Sequence, residues 1–263
     1  NGEIRMMRSR LLFLTINIVA AFAFFWPFLR ISRPVSAVNG GVLSALVVAI
    51  AFLIIAAEIS RQLLDSKTIA VIGVLAAAIA ALRLLGAGAI GIEPIWFLLI
   101  ISARVFGAKM GYALGIIALA TSALLTGGVG PWLSFQMFAA GWVAAMTVVI
   151  PSSWRGKREI LALALYGVVA SLIFGTLMDL QLWPWLTGID TQLSFNADLG
   201  LSDNLARFFT FHFATAMAWD LPRAIITAIL ISLAAQPLLN SLRRAQRRLA
   251  FTSPEKVPTV ISR

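Results

Sequence analysis

Long apolar runs with few or no charged residues recur along the chain, and their length most constrains the fold. A helix needs about 20 mostly apolar residues to cross the hydrocarbon core of a bilayer. The runs are Leu11–Leu29, Val42–Ile59, Thr68–Leu85, a run that follows Glu93 and ends at Ala103, Met110–Leu125, Leu133–Ile150, Ile160–Met178 and part of Arg207–Leu239. The run that ends at Ala103 is too short to cross alone. The pattern predicts an all-α integral membrane protein with eight transmembrane segments.

Composition supports this class and argues against a nucleic-acid-binding protein. The chain is 60% hydrophobic and 12% charged, whereas soluble domains are about half apolar and about a quarter charged. The formal charge of +10 could indicate a nucleic-acid partner, but the basic residues sit in short clusters between apolar runs. They form no continuous basic face. We therefore expect the chain to lie in the lipid bilayer and to bind no nucleic acid.

The basic clusters also predict the topology. Cytoplasmic loops of membrane proteins carry an excess of Lys and Arg. Fourteen such residues fall on one predicted side: Arg5, Arg8, Arg10, Arg61, Lys67, Arg104, Lys109, Arg155, Lys157, Arg158, Arg243, Arg244, Arg247 and Arg248. Arg30, Arg33 and Arg207 fall on the other. Both termini are thus predicted to be cytoplasmic, with a two-helix hairpin over 1–66, a six-helix bundle over 67–243 and a basic tail over 244–263.

The residue inventory argues against catalysis. The chain has no cysteine and one histidine, His212, so thiolate chemistry and a histidine metal cage are not expected. It has no HExxH or GxSxG pattern, and no ATP-binding glycine loop with lysine. We expect no enzyme activity, no metal and no cofactor, and the chain cannot power transport itself.

A glycine-rich break, Thr126–Met137, separates two apolar runs and is the first candidate binding stretch. Irregular backbone at membrane depth is tolerated only where it is buried in protein or lines a water-filled cavity. Trp132 and Phe135 offer flat apolar faces, and Gln136 offers one acceptor and two donors. The alternative is an interfacial turn with a tryptophan at the membrane surface.

Two further stretches on the same predicted side complete the expected substrate pocket. The first is a long loop, Gln181–Ala206, which is either an anchoring belt or a lid. The second is a helix break at Pro222, where Asp220 and Arg223 are spaced to pair. The predicted substrate-binding residues are Trp132, Phe135, Gln136, Trp96, Trp183, Trp185, Trp219 and Asp220. Glu93 is expected to cap the short helix that follows it.

Small residues recur at every fourth position of two segments. In the third segment they are Gly73, Ala77 and Ala81, with Ala76 and Ala80 beside them. Such a stripe lets another helix approach closely. It predicts either docking of a partner subunit or packing within the chain. Gly107, Gly111 and Gly115 predict a second close-packing face.

From Thr68 to Arg244 the order of these features resembles the substrate-binding S-component of energy-coupling factor (ECF) vitamin transporters. The resemblance rests on Ala76-x-x-x-Ala80 and Ala77-x-x-x-Ala81, on Phe106-Gly107 through Gly111 and Gly115, on Gly127-Gly128-Val129-Gly130-Pro131-Trp132 with Phe135-Gln136-Met137, and on Arg223-Ala224. The hairpin from Leu11 to Ser60 is a departure, since a minimal six-helix member lacks it.

The resemblance implies a substrate-binding subunit of a bacterial plasma-membrane importer. Its partners would be an ECF transmembrane coupling subunit, which meets the alanine stripe, and two ATPase subunits. The substrate would be a vitamin or vitamin precursor captured on the outer side, and the GPW-x-x-FQM branch is sometimes linked to cobalamin. The alternative is an ion-coupled secondary transporter, for which Asp179, Asp220 and Glu93 are the candidate carboxylates.

Overall fold

The computed structural model describes residues 2–29, 46, 49, 50, 53, 66–86, 91–186 and 191–250. Within those ranges the chain is helical and contains no β-strand, as the sequence predicts. Five helices are long and apolar enough to cross a membrane, so the chain has the helices of a multi-pass membrane protein. The predicted segment Val42–Ile59 lies outside the described residues except at 46, 49, 50 and 53, and so does the tail from 251 onwards.

Eight α-helices and two short 3-10 helices are present in the described ranges. The α-helices are α1 (Gly2–Phe25), α2 (Ser66–Leu85), α3 (Ile95–Phe106), α4 (Ala108–Thr126), α5 (Leu133–Ala145), α6 (Gly156–Leu186), α7 (Leu201–Thr215) and α8 (Met217–Ala250). The 3-10 helices are Trp26–Phe28, after α1, and Met146–Val149, after α5.

The short helix α3 is the centre of the bundle and packs between α4 and α8. Every side chain from Leu98 to Ala103 is buried. Six consecutive residues cover all faces of a helix, so α3 has no lipid-facing side over this stretch. Its 12 residues are fewer than a span requires, as predicted. The helix ends at Gly107, whose φ of +87° favours glycine.

The predicted glycine face of α4 is confirmed at two positions. A Cβ atom on Gly111 would lie 2.6 Å from the Cβ of Ala103, and one on Gly115 would lie 2.7 Å from the carbonyl oxygen of Ala140. Both distances are shorter than van der Waals contact, so glycine allows α4 to approach α3 and α5 closely. Gly107 has a different role, because it ends α3 and a Cβ there would meet nothing within 4 Å.

A second close contact, which the sequence analysis did not identify, joins α6 to α8. A Cβ on Gly167 would lie 2.8 Å from the side chain of Thr227, and a Cβ on Gly175 would overlap the carboxylate of Asp220. Ser171 lies between the two glycines on the same face and is buried. The spacing of four therefore brings α6 close to the polar face of α8.

Helix α1 packs against α5 and α6. Its buried face is the stripe Ile16, Ala20 and Phe24. Beside that stripe, the amide oxygen of Asn17 accepts hydrogen bonds from the Tyr112 hydroxyl at 3.0 Å and the Trp142 indole at 2.6 Å. One polar side chain thus connects α1 to both α4 and α5.

The two ends of the bundle carry separate charge clusters. At the end where α3 stops and α6 begins, Glu159 accepts from Arg104 at 2.7 Å and from Arg243 at 2.6 Å. The positive-inside pattern predicted Arg104 and Arg243 on the same side of the membrane. In the structure both of them bind the carboxylate of Glu159. The opposite end, where α3 begins, is called the Glu93 end below.

Two predicted boundaries are wrong. The loop Gln181–Ala206 is shorter than predicted, because α6 continues to Leu186 and α7 begins at Leu201. The break predicted at Pro222 lies at Ala216 instead, between α7 and α8. Pro222 is in the second turn of α8, where the missing N–H removes a single bond to a residue near the helix start.

Candidate functional site

Arg223 of α8 is the centre of a charge cluster at the Glu93 end. Its guanidinium donates to Asp220 at 2.6 Å and to Glu93 at 2.9 Å, and it lies over the Phe174 ring of α6 at 5.3 Å. The predicted pairing of Asp220 with Arg223 is confirmed. Because Arg223 is 6% exposed, both of its charged contacts are shielded from solvent.

Glu93 does not cap α3 as predicted. Pro94 occupies the cap position, which receives no side-chain hydrogen bond. The carboxylate accepts instead from Arg223 and from the indole of Trp96 at 2.8 Å, since a bond to a guanidinium is charge-assisted and stronger than a cap. Burial alone would raise the pKa of Glu93, but the charge and hydrogen bonds of Arg223, the Trp96 bond and the charge of Arg83 outweigh it and hold that pKa below its ordinary value.

Asp220 is the most enclosed carboxylate at this end, with 1% of its surface exposed. One oxygen accepts from Arg223, and the other has no hydrogen-bond partner among the described residues. That side chain fits only because Gly175 of α6 has no Cβ. The sequence singled out Asp220 but gave no sign of Gly175, which determines whether the carboxylate fits.

Trp96 is part of the wall of this cluster. It is 1% exposed, and its ring packs against Phe174 at a centroid distance of 4.3 Å. The predicted site residues Trp96 and Asp220 therefore belong to one cluster. Phe174, Arg223 and Glu93 connect them. A fourth charged residue, Arg83 of α2, donates to Ser122 of α4 at 2.9 Å and acts on Glu93 electrostatically.

A pair formed by His212 and Asp179 lies beside this cluster. The Nδ1 atom of His212, on α7, is 2.8 Å from a carboxylate oxygen of Asp179, on α6. Its Nε2 atom is 3.4 Å from the hydroxyl of Thr176, one turn earlier on α6. As the single histidine of the sequence, His212 argued only against a metal cage, and nothing in its spacing predicted this contact.

Trp183 and Trp185 lie in an aromatic cluster at the same end. Trp183 is fully buried, donates to the Leu193 carbonyl at 2.6 Å and contacts the rings of Phe195 and Phe208. Trp185 packs against Trp26 at 5.5 Å. These contacts fasten the stretch 191–200 and α7 onto α6.

The predicted site residues of the glycine-rich break lie apart from the charge cluster. Trp132 is 42% exposed just before α5, whereas Phe135 is 2% exposed and meets the Phe24 ring edge-on at 4.9 Å. Gln136 is partly buried. In the described parts of the chain, no hydrogen bond or ring contact joins these three to Arg223. They share the Glu93 end of the bundle but not the charge cluster.

Trp219 is 49% exposed at the start of α8. Its carbonyl oxygen faces Gly91, whose φ is +66° and where a Cβ would overlap that oxygen. The turn before α3 is thus pressed against the start of α8. This contact positions Glu93 for Arg223.

The small residues of α2 divide into two faces. Ala76 and Ala80 are buried within the chain at 2% and 0% exposure. Gly73, Ala77 and Ala81 are exposed, and a Cβ on Gly73 would meet nothing within 4 Å. These three exposed residues are called the α2 stripe below.

Protein-family models, curated proteins and solved structures give no significant match to this chain. The arrangement at the Glu93 end therefore has to be interpreted by its own chemistry. It combines three carboxylates, two guanidiniums and one imidazole with buried aromatic walls. Such a set can bind a polar ligand, an ion or a proton.

A cavity of about 470 Å³ opens on the side of the bundle between α5 and α6. Its lining includes Trp142, Met146, Leu165, Tyr166 and Ile173 and is almost entirely apolar. The cavity contains none of the predicted substrate-binding residues.

Proposed function

We propose that this chain is the substrate-binding membrane subunit of an ECF-type importer. It would cross the bacterial plasma membrane eight times with both termini in the cytoplasm. It would capture a vitamin or vitamin precursor at the Glu93 end, with cobalamin-related compounds as the first class to test. A transmembrane coupling subunit and two ATPases would supply the energy.

The observation that carries this proposal is the exposure of the α2 stripe. Small residues in membrane helices are used for close helix contact. Ala76 and Ala80 are buried inside the chain, whereas Gly73, Ala77 and Ala81 are exposed in the part of the chain that the structure describes. A second helix from a coupling subunit fits this face.

The docking test is an Ala77→Trp variant. The new ring would hold a partner helix away from the stripe, and Ala77 is exposed among the described residues. Ala80→Trp is not suitable, because Ala80 is 0% exposed. Leu233→Trp is the matched control, since Leu233 is 75% exposed on α8.

Each variant is purified from native membranes, and the coupling subunit and ATPases that accompany it are identified by mass spectrometry. Ala77→Trp should lose them and Leu233→Trp should retain them. Undiminished recovery with Ala77→Trp would rule out this face as the docking surface.

The ligand test uses the two break residues that can change without disturbing the core. Burying an aromatic side chain against a ligand contributes about 1–3 kcal/mol, so Trp132→Ala should weaken binding roughly ten- to hundredfold. Gln136→Leu should weaken binding by a similar factor, because a polar group of the ligand would lose its hydrogen-bond partner. Trp154→Ala, at the opposite end, is the control.

Titration calorimetry with cyanocobalamin, and visible absorbance of the purified chain, measure these effects. Equal affinity in wild type, Trp132→Ala and Gln136→Leu would place the ligand elsewhere.

The second candidate is an ion-coupled secondary transporter. It is favoured by one observation: Asp220 lies near Asp179, which acts on it electrostatically, and shares Arg223 with Glu93. Coupling ions in such transporters bind at carboxylates within the helices. The chain alone in proteoliposomes separates the two functions: uptake driven by a proton or sodium gradient, with no ATPase present, supports the second candidate and opposes the first.

A further inference from the structure

The apolar cavity between α5 and α6 is a groove that opens on the side of the bundle. Its floor includes Val143 and Ala170, which are buried, and its rim includes Val149, Val169 and Ile173, which are exposed. Helix α6 is one of the helices long and apolar enough to cross a membrane. The open side of the groove therefore faces the hydrocarbon of the bilayer.

The groove offers its occupant only apolar contact. Two of its lining side chains carry an N–H or O–H group, and both groups are used within the chain. The Trp142 indole donates to Asn17 at 2.6 Å, and the Tyr166 hydroxyl donates to the Val143 carbonyl. Water is not stable in an apolar cavity, and an empty one loses dispersion contacts with its lining. A hydrocarbon occupant is therefore favoured.

The length of the groove matches one acyl chain. On α6 the lining runs from Leu165 to Leu177, which is about 18 Å along a helix. One leaflet of the hydrocarbon core is about 15 Å thick. On α5 the lining ends at Val149, beside Ile150, whose carbonyl accepts a hydrogen bond from Arg104 at 2.7 Å. The groove thus reaches the end of the bundle that holds Glu159, called the Glu159 end below.

Exposed positive charge lies at the Glu159 end of the groove. Arg155, Lys157 and Arg158 are all exposed there. Among the described residues, Lys157 and Arg158 form no ion pair. Glu159 is the single acidic residue between positions 133 and 178, and its buried carboxylate is already bound by two arginines. An anionic group is therefore the complementary partner of this surface.

Arg158 connects this charge to the groove. From Leu165 the helical spacing of three and four leads back through Ala162 to Arg158, so these residues lie on one stripe of α6. The guanidinium of Arg158 lies over the Trp154 ring at 4.2 Å. A headgroup bound at Arg158 would therefore continue directly into a chain that lies in the groove.

We propose that the groove between α5 and α6 binds an acyl chain of an anionic phospholipid whose phosphate is bound by Lys157 and Arg158. Basic pockets between membrane helices bind anionic headgroups, and the apolar lining favours the chain. This lipid site is separate from the Glu93 end and from the α2 stripe.

The headgroup is tested by native mass spectrometry of the chain in detergent, titrated with phosphatidylglycerol or with phosphatidylcholine that has the same acyl chains. Wild type should prefer phosphatidylglycerol about tenfold or more, because each basic residue near an anionic lipid contributes about fivefold. Lys157→Gln combined with Arg158→Gln should abolish most of this preference. Arg244→Gln combined with Arg247→Gln is the matched control, since it removes the same charge from exposed positions of α8 at the Glu159 end. It should retain the preference.

The acyl chain is tested by filling the groove. Val169→Trp should lower the affinity for both lipids about tenfold, because its ring displaces two or more methylene groups of the chain. Val169 is 52% exposed, so the variant should fold, and its unfolding temperature checks this. Leu233→Trp, outside the groove on α8, should bind as wild type does. Phosphatidylglycerol with a diazirine at the end of one acyl chain should crosslink to Ile173 or Leu177.

Three results would overturn the inference. Equal affinity for the two lipids would exclude the headgroup site, and undiminished binding by Val169→Trp would exclude the groove. A disulfide between Val169→Cys and Ile50→Cys would show that the run Val42–Ile59, most of which lies outside the described residues, fills the groove instead. These readouts depend neither on the α2 stripe nor on cyanocobalamin, so failure here leaves the proposed importer function to its own tests.

Discussion

Gly175 is the position where one added methyl group should have the largest effect on the Glu93 end. A Cβ there would overlap both oxygens of the Asp220 carboxylate, which is 1% exposed. The carboxylate cannot retreat freely, because Arg223 binds it from the other side at 2.6 Å. Gly175→Ala therefore has to move α6 away from α8 or break the bond between Asp220 and Arg223.

Three effects determine how much stability Gly175→Ala loses. Overpacking a filled interior costs about 1–3 kcal/mol. Weakening a hydrogen bond between charged groups costs about 1.5–3 kcal/mol. Replacing glycine by alanine inside a helix stabilises the helix by about 1 kcal/mol, which offsets part of these costs. Together these effects should lower the free energy of unfolding of Gly175→Ala by about 1.5–5 kcal/mol.

The assay is reversible unfolding in mixed detergent micelles, followed by tryptophan fluorescence. Gly73→Ala is the matched control, because its Cβ would meet nothing within 4 Å, and it should be neutral or slightly stabilising. Asp220→Ala removes the obstructing carboxylate, so the double variant should lose less stability than the sum of the two single variants. Equal stability of Gly175→Ala and Gly73→Ala, or strict additivity in the double variant, would refute the close contact.

Three further outcomes are expected in the same assay. Glu159→Gln should cost about 3–5 kcal/mol, because Glu159 is fully buried and the partly buried Arg104 and Arg243 lose their counter-charge; a loss below 1 kcal/mol would contradict the role given to this carboxylate. Since Glu93 has a lowered pKa, its ionised form contributes stability above its ordinary pKa that is lost as the pH falls through the lowered value, and Glu93→Gln should flatten this acid dependence. If Glu93→Gln leaves the loss of stability at low pH unchanged, other carboxylates cause that loss. Asn17→Leu should cost about 1–3 kcal/mol, because the Tyr112 and Trp142 donors lose their acceptor; an unaltered unfolding curve would show that water replaces the amide.

Local patterns in the sequence predicted the parts of the structure that depend on neighbouring residues. Run length predicted the helical membrane class, and spacing of four predicted the contacts of Gly111 and Gly115. The pair Asp220 and Arg223 lies within one turn of a helix, so its spacing was sufficient.

Contacts between distant positions could not be predicted in this way. Glu93 follows a glycine-rich turn and precedes a helix, which is also the pattern of a cap, but its partner Arg223 is 130 residues away. His212 and Asp179 come from different helices, and nothing in their spacing pairs them. The break at Ala216 has no proline or glycine, so composition pointed to Pro222 instead.

Asn17 has a consequence for the order in which the protein is assembled. A ribosome makes α1 before α4 and α5, and the hydroxyl and indole that bind its amide belong to residues 95 and 125 positions further along the chain. The Asn17 amide NH2 bonds to the Phe13 carbonyl within α1 at 2.8 Å, but until α4 and α5 have entered the bilayer the amide oxygen has neither donor, and an unpaired polar atom in hydrocarbon costs several kcal/mol. The newly inserted helix must therefore wait near the interface or beside the insertion machinery. Helix α1 is thus made before α4 and α5 but reaches its final place only after them.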